Sequence, residues 1–136
     1  MVKVIVGLKG SGKTKNLINA INEAIATESG SMVCIEKGNK LTFDIDYRVR
    51  LIEAGEYQMG SVTFLKGFIS GLHAGNFDIT HVFIDSLYKI TGSDDVAETE
   101  EFLNWCNEFG KINNMKFTVV ISDEPEKMPE GVNKYF

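Results

Sequence analysis

The apolar positions of the chain change period several times, and each change marks an element. "VKVIV" (2–6) is rich in β-branched residues and too short for a helix, so it predicts a buried strand. From Lys13 onward Leu17, Ile18, Ile21, Ala24 and Ile25 recur at three- and four-residue spacings, one apolar stripe along a helix. "ESGS" (28–31) ends that helix, with Gly30 placed to be its left-handed terminating residue. "MVCIE" (32–36) predicts a second short strand, closed by "KGN". In the segment 38–60, "YRVRLI" (47–52) alternates like a strand, although Val49, Leu51 and Ile52 would also line one helical turn. The strand is the reading adopted.

Ser61 has the chemistry of an N-cap, followed by a stripe of Phe64, Leu65, Phe68 and Leu72. Gly67 and Gly71 each cost that helix ~1 kcal/mol unless close packing requires them. "HVFID" (81–85) is another buried-strand pattern, this time ending in an acid. Ser93 predicts a cap with Asp94 and Asp95 in the first turn, then a stripe of Val96, Thr99, Phe102, Leu103, Cys106 and Phe109, stopped by Gly110. "KFTVVIS" (116–122) is the last clear strand, and 123–136, which carries both prolines, reads as irregular.

Strands alternating with helices predict an α/β fold of three layers. A mainly parallel sheet of about 4–5 strands is joined by right-handed crossovers, with helices on both faces. The 136 residues suffice for one domain (1–136) with a real core and are too few for two. In such sheets ligands bind beyond the carboxyl ends of the strands. The glycine-rich run after the first strand, Glu36, Asp85 and Ser122 all fall at those ends.

Composition narrows the function. Hydrophobic residues at 43% and charged residues at 24% are ordinary for a soluble globular chain. A net charge of −5 argues against a broad nucleic-acid footprint or a polybasic membrane patch. Cys34 and Cys106 sit singly in apolar segments, and His73 and His81 are not spaced as partners for them, so the thiols read as packed hydrophobes and not metal ligands. No apolar run approaches the ~18 residues of a membrane span, and the start does not read as a signal peptide. The expectation is a cytoplasmic protein.

Gly7-Leu8-Lys9-Gly10-Ser11-Gly12-Lys13-Thr14 matches GxxxxGK[ST]. The glycines let backbone N–H groups turn inward around a phosphate, and the helix that follows points its positive end at the same place. Lys13 reaches the β/γ-phosphates and the Thr14 hydroxyl ligates Mg²⁺. The bare pattern arises by chance in about one chain in a hundred of this size, but here a buried strand precedes it and an amphipathic helix follows, as the chemistry requires.

With this octapeptide the chain resembles the P-loop NTPase superfamily, whose Walker A motif it matches. "HVFIDS" is similar to a Walker B strand, which implies that Asp85 holds Mg²⁺ through water. The resemblance implies ATP with Mg²⁺ as cofactors, the phosphates lying against Gly7 to Thr14. Many members carry a glutamate directly after the Walker B acid to orient the attacking water, and this chain has Ser86 there. In the RecA-like branch that glutamate ends the strand after the P-loop helix, a position matched by Glu36, which is equally the first solvated residue after a strand. Ser122 matches a γ-phosphate sensor position or is a loop serine, and Lys9 adds charge near the γ-phosphate or faces water. The same branch implies that 116–122 lies between the first strand and 81–85.

An NKxD element for guanine is absent, as are a transporter signature, a zinc lobe and an arginine-rich lid. Arg48 and Arg50 are the only arginines, on what reads as one solvated strand face. Three functions follow in order: slow ATP hydrolysis with Lys13 and Glu36 as catalytic residues, a nucleotide-binding switch, and a small-molecule kinase whose acceptor site lies in 38–60. The partner expected is the nucleoside triphosphate, with a protein partner or second copy open as the source of an arginine finger.

Overall fold

The computed structural model describes residues 1–38, 41 and 44–136. The strands are β1 (Val2–Gly7), β2 (Ser31–Glu36), β3 (Val49–Glu53), β4 (Ile79–Ile84) and β5 (Lys116–Ser122). The helices are α1 (Lys13–Thr27), α2 (Val62–Gly75), α3 (Leu87–Thr91), α4 (Val96–Asn113) and α5 (Glu130–Asn133), with 3-10 turns at 54–57 and 125–127. Every strand pair is parallel, in one sheet of order β1-β5-β4-β2-β3. The last strand therefore lies between the first strand and the acid-ended one, as expected from the sequence.

Side chains alternate across a strand, and here both faces are covered. Leu17, Ile21 and Ala24 of α1 pack with Met32, Cys34, Phe83 and Val120 on one face. On the other, Leu65 and Ile69 of α2 and Phe102, Leu103 and Cys106 of α4 pack with Val4, Ile35, Ile84 and Val119. The three inner strands β2, β4 and β5 are buried almost end to end, as cover on both faces demands, while the edge strands β1 and β3 expose Lys3 and Arg50. Among the described residues no helix is long and apolar enough to cross a membrane.

Several boundaries differ from expectation for reasons of packing. Gly30 is not a left-handed cap: α1 ends at Glu28 in extended backbone, whose N–H donates to Ala24 O. Gly30 is there for space, since a Cβ would lie 2.0 Å from Thr80 Cγ2. Asp95, not Ser93, caps α4, accepting the N–H groups of Ala97 and Glu98. Gly110 does not stop that helix either. It lies inside it, against the carbonyl of Met115, and Asn114 takes the left-handed turn at φ 56°. The segment 123–136 is more ordered than its prolines suggest. Val132 and Tyr135 are buried, and Tyr135 O accepts the N–H of Val4 on the edge strand β1. Within 38–60, positions 39, 40, 42 and 43 lie outside the described residues.

Candidate functional site

The glycine loop begins where β1 ends. Gly7 is buried beneath it, and a Cβ there would lie 2.2 Å from Ser11 Oγ, so the loop folds directly back over the strand end. Gly10 and Gly12 are left-handed, at φ 85° and 88°, which only glycine adopts at little cost. Ser11 N–H donates to Leu8 O at 3.1 Å, and the Lys13 ammonium donates to the same carbonyl at 2.9 Å. The N-terminus of α1 has no side-chain cap and no acid in its first turn. By contrast Ser61 caps α2 and Asp95 caps α4. The first N–H groups of α1 are left to whatever the loop encloses.

The sheet brings the other candidates to the same end. Gly7 pairs in register with Ser122, and Ile35 with Ile84, while Asp85 N–H donates to Ile35 O at 2.9 Å. Glu36 and Asp85 therefore stand side by side, each only 2% exposed. Alternation places Gly7, Glu36, Asp85 and Ser122 on the face that α1 covers. Cys34, one pair deeper on that face, has its thiol pushed up by burial and then by the negative charges of Asp85 and Glu36, so it is no nucleophile at neutral pH.

A cleft of about 660 Å³ opens at this end. Lys9, Gly10, Gly12, Lys13 and Thr14 form its loop side. Asp85, Ser86 and Lys89 form the opposite side, with Ser122 and Val120 between. Gly7, Leu8, Ser11 and Glu36 are not part of this lining. What the structure assembles is a cradle with three lysines, one buried carboxylate and hydroxyl groups at Thr14, Ser86 and Ser122, suited to an anion carrying a hard cation. A smaller cavity of about 360 Å³ adjoins it through Lys89 and is otherwise lined by residues such as Lys37, Gly55 and Gln58.

Lys89 escaped the sequence reading. It is carried on α3, which starts abruptly because Ser86 turns left-handed at φ 61°. A lysine four residues past a strand-end acid was the available signal, but five residues show too little period to announce a helix. Tyr88 from the same helix donates its hydroxyl to Asp123 at 3.0 Å, and Asp123 N–H donates to Gly7 O at 3.2 Å. Burial, with Asp123 adding, pushes the Tyr88 hydroxyl up to about 12, so it stays a donor.

The arginines are elsewhere. Arg48 is half-buried and donates to the carbonyls of Ile25 at 2.7 Å, Glu28 and Gly30, closing the C-terminus of α1. Arg50 is exposed on the edge strand β3. Neither lines the cleft. At the amino ends of the strands His81 is buried, its Nδ1 2.9 Å from Glu28 and its Nε2 2.8 Å from the Thr118 hydroxyl. A carboxylate only accepts, so Nδ1 carries the proton and Nε2 accepts from Thr118.

In comparisons with known proteins, no family model and no curated protein matches the chain.

Proposed function

We propose that this chain binds a nucleoside triphosphate, ATP, with Mg²⁺ in the cleft between the glycine loop and Asp85, and hydrolyses it slowly. One observation carries the reading. The left-handed Gly10 and Gly12, the uncapped start of α1, Lys13, Thr14 and the buried Asp85 all meet at one cleft beyond the carboxyl ends of a parallel sheet. The loop amides and the helix terminus suit the phosphates. Lys13, now on Leu8 O, would exchange that neutral acceptor for a charged one, which is the stronger bond. The Thr14 hydroxyl and the Asp85 carboxylate are hard oxygen donors of the kind Mg²⁺ takes, most of its remaining sites being met by water and phosphate. When bound, Mg²⁺ neutralises phosphate charge and fixes the phosphate geometry. Adenine is preferred over guanine because "NKLT" and "NKYF" lack the acid that reads guanine. Cytoplasmic residence, where ATP and Mg²⁺ are plentiful, belongs to the same proposal.

For hydrolysis, water adds to the terminal phosphorus, the bond to the bridging oxygen breaks, and the water's proton passes to a base. Glu36, beside Asp85 at the strand ends, is the carboxylate proposed for that role. The test of binding is calorimetry on Lys13→Ala. Losing a charge-assisted phosphate contact of roughly 1.5–3 kcal/mol weakens ATP binding roughly ten- to a hundredfold. Unchanged affinity in a folded variant would overturn the assignment.

A non-hydrolysing switch is the second reading, favoured by Ser86 following Asp85 and by Glu36 lying outside the cleft lining. A kinase would place its acceptor in the adjoining cavity beside Lys37 and Lys89. ATP labelled at the γ-phosphate separates the three: phosphate release without an acceptor, binding without release, or transfer that needs an added metabolite.

A further inference from the structure

We propose that Lys89 distinguishes a triphosphate from a diphosphate in this cleft, its ammonium meeting the terminal phosphate from the side opposite the glycine loop. The inference rests on the nucleotide reading above and names a specificity residue for it.

The backbone of α3 is held at both ends. Lys89 and Ile90 N–H groups donate to Ser86 O at 3.0 and 3.2 Å, and Gly92, left-handed at φ 73°, returns its N–H to Tyr88 O at 2.8 Å. Leu87, Ile90 and Thr91 are buried, so helical geometry turns Lys89 outward, where it is exposed and lines the cleft. The Tyr88–Asp123–Gly7 chain ties this helix to the root of the glycine loop, so the two walls of the cleft are linked. Lys89 is thus a flexible cation on a fixed base, across the cleft from Lys9 and Lys13.

The chemistry calls for a cation there. The loop amides, the start of α1 and Lys13 engage the phosphates from one side, and most of that cradle is filled by a diphosphate as well as by a triphosphate. The added phosphate brings further negative charge, for which a cation facing the loop adds to what Lys13 supplies. Both arginines of the chain are remote from the cleft, and Arg48 is engaged by three carbonyls. Among the described residues, Lys89 is the basic residue on the wall opposite the loop. A terminal phosphate between Lys13 and Lys89 is held from two sides, whereas a diphosphate ends short of Lys89.

Calorimetry with MgATP and MgADP on the wild type, Lys89→Ala and Lys89→Arg tests this, circular dichroism checking that each variant is folded. Lys89→Ala is expected to weaken ATP about tenfold and leave ADP unchanged, and Lys89→Arg, which keeps the charge, to restore most of the preference. Equal losses for both nucleotides, or no loss for either, would overturn the assignment of Lys89 while leaving nucleotide binding intact. A wild type that binds neither nucleotide overturns the nucleotide reading and this inference together.

Discussion

Three helical glycines give a matched comparison in which propensity and space can be set against each other. Gly67 and Gly71 lie in α2 and Gly110 lies in α4, so alanine at each raises helix propensity by up to ~1 kcal/mol. An added Cβ meets nothing within 4 Å at Gly67 or Gly71. At Gly110 it would stand 2.4 Å from Met115 O and 3.5 Å from the Phe117 ring. Ordinary contact would require that carbonyl to retreat by about an ångström. It has little freedom to do so: Met115 is 2% exposed, its N–H donates to Gly110 O at 2.9 Å, and β5 begins at the next residue between two neighbouring strands. Forcing extra volume into such a site costs about 1–3 kcal/mol, and straining the hydrogen bond adds about 0.5–1.5. After subtracting the propensity gain, Gly110→Ala is destabilised by about 1–3 kcal/mol. Gly67→Ala and Gly71→Ala are each stabilised by about 0.5–1. With a urea slope of about 2 kcal/mol per molar, the Gly110→Ala midpoint falls by about 0.5–1.5 M while the other two rise. A Gly110→Ala midpoint at or above that of the wild type would refute the close approach of α4 to the start of β5.

The remaining predictions concern titration and turnover. Burial lowers the proton affinity of His81 from its ordinary 6.5, although Glu28 pulls the other way. Burial would raise Glu28, but its hydrogen bond and charge interaction with His81, with help from Thr80 and Lys116, bring it below its ordinary 4.5. Both groups bind protons more weakly folded than unfolded. Stability is therefore full above about pH 6.5 and declines as pH falls, first through His81 and then through Glu28. Urea midpoints at about pH 7.5 and 5.5 should show this loss and His81→Gln should flatten it; an unchanged slope in that variant would remove His81 as the cause. For turnover, Glu36→Gln should keep ATP affinity and slow hydrolysis by roughly 10²–10⁴, the range for a positioned base. Loss of binding together with turnover would mark Glu36 as a structural residue instead.

Which residues become strands and helices was readable along the chain, because periods of two and of three to four reflect which side of an element meets the core. "VKVIV", "MVCIE", "HVFID" and "KFTVVIS" each became a strand of the sheet, and the three long apolar stripes became α1, α2 and α4. The loop 7–14 was readable for a different reason: its glycines, lysine and threonine carry their chemistry locally. Where elements begin and end depended on how the chain folds back on itself. Gly30 and Gly110 look like stop signals in one dimension, yet each is a point where another segment comes too close for a Cβ. Arg48 likewise has no local reason to reach back to the end of α1; the parallel crossover brings β3 there. The same holds for the site. A strand-end position could be assigned to Asp85 and Ser122 from pattern alone, but their meeting with Lys13 across one cleft follows from β5 lying between β1 and β4. Lys89 entered only through the left-handed turn at Ser86, since a five-residue helix owes its direction to what it packs against and not to its own periodicity.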